Sequence, residues 1–226
     1  MAKEKNLLDG VAKFVGTEGF AQALADRLRD HSEPPCKTMG VVFEQLPGML
    51  DPQVYAIMFT CVLEDLMTRR LEDGRNLTDA YVKRHGWKLG STAKRQLECV
   101  RDSQMGLYEI TAVTQGVGIT LQDLLSDAAP FEVIAPALSG ALPAGCPLAA
   151  RVLRLDGTAT LTGGILPFET GMSAEAAEAV KGSPDVAAAI TGFWLLKTLQ
   201  EQLGDTSPPE NYADDEAPAP VLDEAT

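Results

Sequence analysis

Apolar residues recur every four positions in TEGFAQALADRLRD, residues 17–30, where Phe20, Leu24 and Leu28 form a stripe and Asp26, Arg29 and Asp30 lie off it. That spacing predicts an amphipathic helix capped by Thr17. HSEPPCK should end it, because Pro34 and Pro35 each fix φ and remove a backbone donor, and LPGMLDP marks a second break. Asp51 then caps a helix with Pro52 in its first turn and a broad apolar surface of Val54, Tyr55, Met58, Phe59, Val62, Leu63 and Leu66. This is the expected central helix of the N-terminal half. A shorter helix over 77–85 should stop at Gly86, and another should run from Ser91 or Thr92 to about Ser103.

The period changes to that of a strand in GLYEITAVTQGVGITLQDLLSD, where Leu107, Glu109 and Thr111 alternate with Tyr108, Ile110 and Ala112. Strand-like runs continue in PFEVIAPAL, CPLAARVLRL and TATLTGGIL, separated by Gly, Pro and Asp. About five strands in about sixty residues favour a small antiparallel barrel, of SH3-like or OB-like size, over an open sheet with exposed edges. Asp156-Gly157 is the strongest hairpin signal in the chain. TQGVGIT has neither the glycine spacing nor the following helix of a phosphate loop, so it reads as a strand-to-strand turn.

Helical character returns afterwards. Ser173 should cap AEAAEAVKG, and Ser183-Pro184 should open a helix through Leu203 with Val186, Ile190, Phe193, Trp194 and Leu199 near one stripe, Trp194 belonging to the core. The segment from Gly204 onward has four prolines, seven acidic residues and no Lys or Arg, a composition expected to be disordered. The predicted class is therefore α+β: a helical region over 1–104, a small five-stranded barrel over 105–170, helices over 171–203 packing on the body, and a disordered acidic tail over 204–226.

Charge narrows the functional choices. A net charge of -13 repels polyanions at long range, while 45% apolar and 23% charged residues are ordinary for a globular protein. The longest apolar run, VYAIMFTCVL, is about half the ~20 residues needed to span a bilayer, and the N-terminus has no export signal, so a cytoplasmic protein without a membrane partner is expected. Cys36, Cys61, Cys99 and Cys146 are widely spaced and contain no CxxC pair, which suits free thiols; Cys146, in the turn AGCPLA, reads as the most exposed. His31 and His85 fall in or beside polar turns and read as solvent-exposed, without metal-ligand spacing. No cofactor is expected, and no nucleophile with a nameable base emerges, so the reading leans away from an enzyme.

One stretch runs against the overall charge. YVKRHGWKLGSTAKR, residues 81–95, gathers Lys83, Arg84, Lys88, Lys94 and Arg95 around Tyr81 and Trp87 without an acidic residue. With Arg151 and Arg154 it forms the candidate anion- or partner-binding set, in which Tyr81 or Trp87 would stack on a ligand. The competing reading has both aromatics packing a helix turn into the core while the basic side chains project into water.

SQMGLYEITAVTQGVGITLQDLLSD and AARVLRLDGTATLTGGILPFE, through Ser103, Leu107, Tyr108, Glu109, Asp123, Leu124, Leu125, Arg151, Gly157, Gly163, Gly164, Pro167 and Phe168, resemble a family of uncharacterised bacterial proteins. Some of its members carry a Cys-rich SEC-C-type metal-binding tail. The resemblance covers roughly residues 75–170 and implies a fold but no known activity. The chain departs from the pattern in the neutral segment APALSGALPAG and in lacking the C-terminal Cys cluster, so metal binding is not implied. The leading expectation is a non-enzymatic protein-binding or adaptor protein. A nucleic-acid-associated protein using 81–95 is the alternative, and a deep pocket collecting Tyr108, Glu109, Asp123 and Arg151 would favour an enzyme of unknown class instead.

Overall fold

The computed structural model describes residues 7–17 and 19–204. Its helical part comprises α1 (Leu7–Thr17), α2 (Ala21–Thr38), the one-turn α3 (Leu46–Met49), α4 (Pro52–Thr68), α5 (Leu77–His85) and α6 (Ser91–Arg101). As expected, Asp51 caps α4 by accepting from the Gln53 N–H at 2.7 Å, and α5 ends at Gly86.

Two local expectations give way. Thr17 closes α1 rather than capping α2, whose N-cap position is Phe20. More consequentially, α2 continues through Pro34 and Pro35. The prolines occupy the stretch where α2 meets α9 (Val186–Leu203), with Ser32, Pro35 and Cys36 buried. A Cβ on Gly192 would stand 3.3 Å from the His31 carbonyl oxygen, so the two backbones come close there. Tertiary burial outweighs the lost donors, as it commonly does for a helix that owes its stability to packing.

The barrel is built from β1 (Met105–Thr114), β2 (Gly118–Asp123), β3 (Phe131–Ile134), β4 (Pro147–Leu155) and β5 (Thr158–Leu161), with the one-turn helix α7 (Pro136–Ser139) between β3 and β4. The order β1-β2-β3-β5-β4 closes through β1–β4, and β6 (Leu166–Pro167) extends the β4 edge. This is a Greek-key connectivity of the OB type. The α+β class stands, but the barrel is mixed rather than wholly antiparallel. After α7 the chain returns as β4 and turns back as β5, which brings β5 beside β3 in the same direction, through the single register pair Ile134↔Thr160. The Asp156-Gly157 hairpin forms as expected, with φ of 51° and 77° at its two central residues, the pair of left-handed conformations that a two-residue type I′ turn requires.

α8 (Ser173–Val180) follows the barrel. Ser173 does not cap it; its hydroxyl donates to Glu109 on β1, so a cross-element bond replaces the local one. Asp185, rather than Ser183, caps α9, accepting from the Ala188 N–H at 3.1 Å.

Three apolar clusters organise the body. Phe14, Phe20, Leu66, Leu77, Tyr81 and Leu97 join α1, α2, α4, α5 and α6, and Leu153 of β4 completes that cluster. Ile110, Ile119, Leu121, Val133 and Leu148 fill the barrel. Between them, Met58 and Cys61 of α4 meet Leu107, Ala149 and Leu166 of the sheet and Ile190 and Leu195 of α9. Helices and barrel therefore share one core. Trp194 belongs to it as predicted, donating its indole N–H to the Pro167 carbonyl at 3.0 Å. Among the described residues no helix is long and apolar enough to cross a membrane. Of the expected acidic tail, only Gly204 lies within them.

Candidate functional site

α4 is apolar around most of its circumference, and such a helix buries the polar positions it carries as well. Glu64 and Asp65, within VLEDLM, are both buried and turn the centre of the fold into a charge hub. Asp65 Oδ2 accepts from Arg27 Nε at 2.9 Å and Arg69 Nε at 2.7 Å, with His31 Nε2 at 3.3 Å, and Oδ1 accepts from Arg151 Nη2 at 3.1 Å. Asp185 Oδ2 stands 2.8 Å from both Arg27 and Arg69. Burial alone would raise the Asp65 carboxyl, but hydrogen bonds from His31 and Arg69 and the nearby positive charges hold it well below the usual carboxylate range. α2, α4 and β4 are thereby tied to a single carboxylate, and Arg27 and Arg69 bridge it to Asp185 at the α9 cap.

Glu64 serves the other side of α4. Its carboxylate accepts from the Thr162 hydroxyl at 2.7 Å and from the Gly163 and Gly164 N–H groups at 3.1 and 3.2 Å, clamping the β5–β6 connection onto the helix. Burial pushes this carboxyl up, against the opposing pull of those bonds and of Arg151. Gly164 is needed here for proximity: a Cβ would lie 2.8 Å from Glu64 Oε2 and 3.1 Å from the Cys61 Cα. Because backbone blocks it, Gly164→Ala is expected to destabilise the protein by about 1–3 kcal/mol in chemical denaturation. A cost below ~0.5 kcal/mol would show that the clamp yields freely.

A cleft of about 520 Å³ opens beside the hub, lined by Arg69, Arg151, Ser103, Tyr108, Asp123 and Asp185 among others. It collects Tyr108, Asp123 and Arg151 but leaves out Glu109, which bonds to Ser173 elsewhere. Hub and cleft were largely hidden in the sequence. His31 is fully buried rather than solvent-exposed, and Cys146 is buried rather than the most exposed thiol.

The basic stretch does not form one face with its expected partners. Tyr81 is buried against Phe14 and His85, with ring centroids 5.4 and 5.1 Å away, and cannot stack on a ligand. Arg151 is in the hub, 2% exposed. Arg95 makes a two-pronged ion pair with Asp156 at 2.5 and 3.1 Å, Lys94 lies against Gly86, and Arg154 stacks on Phe131 at 4.5 Å. Lys83, Arg84 and Lys88 are exposed, and Trp87 is 79% exposed with the Lys88 ammonium 4.8 Å from its ring centroid. The packing interpretation therefore holds for Tyr81 and not for Trp87.

At the barrel mouth, Val117 and Ile134 are 56% and 53% exposed. They are neighbours, since Gly118 pairs with Ile134 and the Ala135 N–H donates to the Val117 carbonyl at 3.2 Å. A groove of about 380 Å³ runs from this pair along Glu132 to Gly157 and Thr158, over the seam that one register pair holds between β3 and β5.

Residues 37–181, more than half of the chain, match the model of a family of unknown function, DUF7986. The chain belongs to the DUF7986 family. No curated protein and no solved structure matches it. The DUF7986 region takes in Glu64, Asp65, Arg69, Arg151 and the whole barrel mouth, while Arg27, His31 and Asp185 lie outside its limits.

Proposed function

We propose that this DUF7986 protein is a non-enzymatic binding or adaptor protein whose barrel mouth takes an extended segment of another protein. The observation that carries this reading is the exposed Val117–Ile134 pair beside the β3–β5 seam. An extended segment lying in the groove would cover Val117 and Ile134 with its alternate apolar side chains. Glu132 is the charged residue lining the groove and favours a basic residue in the incoming segment. The cytoplasmic setting, and the finer likeness to bacterial proteins of which some bear SEC-C-type tails, belong to the same proposal.

The test is selection of displayed peptides on the intact protein, followed by affinity measurement. Enrichment of an apolar, alternating motif with a basic residue is expected, with Ile134→Asp weakening binding about tenfold or more and Trp87→Ala leaving it unchanged. Binding equally strong in a folded Ile134→Asp variant sinks the reading.

Trp87, exposed with the Lys88 ammonium over its ring, favours a second reading, association with single-stranded nucleic acid by stacking. That reading requires affinity to fall with salt and with Trp87→Ala. Binding that is undetectable at low salt removes it.

A further inference from the structure

Arg151, which lines the cleft, has one buried donor that the hub leaves unpaired. Arg151 is 2% exposed; its Nη1 donates to the Ser103 carbonyl at 3.1 Å and its Nη2 to Asp65, yet its buried Nε has no hydrogen-bond partner. Arg69, 37% exposed at its side chain, spends Nε and Nη2 on Asp65 and Asp185. Asp65 is already shared among Arg27, Arg69, Arg151 and His31, which occupies its lone pairs. An unmatched buried guanidinium N–H is costly, and a guanidinium presents a planar fork that suits a carboxylate.

The opposite wall differs in chemistry. The Tyr108 hydroxyl reaches over Gly106, where a Cβ would collide with it, and Asp123 stands nearby with its carboxylate fixed by the Leu125 N–H at 2.8 Å and the Ser126 hydroxyl at 2.7 Å. The cleft is lined by Arg69 and Arg151 and by Asp65, Asp123 and Asp185, with Arg27 behind them paired to Asp65 and Asp185. A dianionic phosphate would meet three carboxylates there. A monoanion with its own donor group matches both walls, and about 520 Å³ is ample for a small molecule.

From this geometry we infer that the cleft between α4, β1 and the α8–α9 turn binds a small monocarboxylate bearing a hydroxyl or amino group, held at Arg69 and Arg151 and read at Tyr108 and Asp123. The site is separate from the barrel mouth and does not depend on the peptide reading.

Ligand-observed NMR of the full chain against glycolate, lactate and a panel of α-amino acids, with inorganic phosphate as a separate arm, tests it. Saturable binding of at least one hydroxy- or aminocarboxylate is expected, weakened at least about tenfold by Arg69→Gln and several-fold by Tyr108→Phe. Tyr108→Phe removes only the hydroxyl and leaves the hub bonds in place, so it decides the matter if Arg69→Gln fails to fold. Glu178→Gln, on the outer surface of α8, should change nothing. No saturable binding across the panel, binding indifferent to Tyr108→Phe, or phosphate binding more tightly than every carboxylate would each overturn the proposal.

Discussion

Asp65→Ala is expected to lower the unfolding free energy by about 3–5 kcal/mol at neutral pH, because it strands the Arg27, Arg69 and Arg151 guanidiniums around an empty centre. The cost arises from the partners left behind as much as from the bonds removed. Arg151, 2% exposed, has no water to turn to. Urea denaturation monitored by circular dichroism measures the loss, and a decrease below ~1 kcal/mol would show that the hub contributes little.

The same carboxylate sets an acid limit. Its folded pKa is depressed, so its contribution is complete above the unfolded value of about 3.9 and is lost as the pH falls through and below that range. Wild-type stability should therefore decline below about pH 4, and Asp65→Asn should flatten that decline while being less stable at pH 7. Glu64 acts in the opposite sense. Its raised pKa makes its ionisation a cost that appears as the pH rises above the unfolded value of about 4.3.

Tyr81→Ala and Trp87→Ala, six positions apart, should behave as opposites. Tyr81 is buried edge-on to Phe14 and beside His85, so truncation is expected to remove about 3–5 kcal/mol by loss of burial and creation of a cavity. Trp87, 79% exposed, should change stability by less than ~0.5 kcal/mol. Denaturation midpoints of the two variants side by side check this. Comparable losses in both would mean that the Trp87 ring is buried in solution.

Local signals in the chain were the ones that could be read. The Asp51 cap, the Gly86 stop and the Asp156-Gly157 turn each depend on residues within a few positions, and each forms as expected. Misreadings share a different cause. The Pro34-Pro35 pair breaks an isolated helix, but here α9 covers that stretch. Ser173 has the chemistry of a cap, but Glu109 on a distant strand takes its hydroxyl. His31 and Arg151 look like surface residues until Asp65 is placed beside them, at sequence separations of 34 and 86. Charges embedded in VLEDLM were the available hint of a buried hub, since polar residues inside an apolar run need partners supplied from elsewhere.

The contact between α2 and α9 has a consequence for synthesis. Arg27 and Asp185 lie 158 residues apart, so a ribosome adding about 5–20 residues per second leaves Arg27 without that partner for about 8–32 s. Barrel strands can pair within this interval, but the α2 surface that α9 later covers stays open. Until α9 is made, the helical flank that it seals has no cover, while every barrel strand is already available to pair.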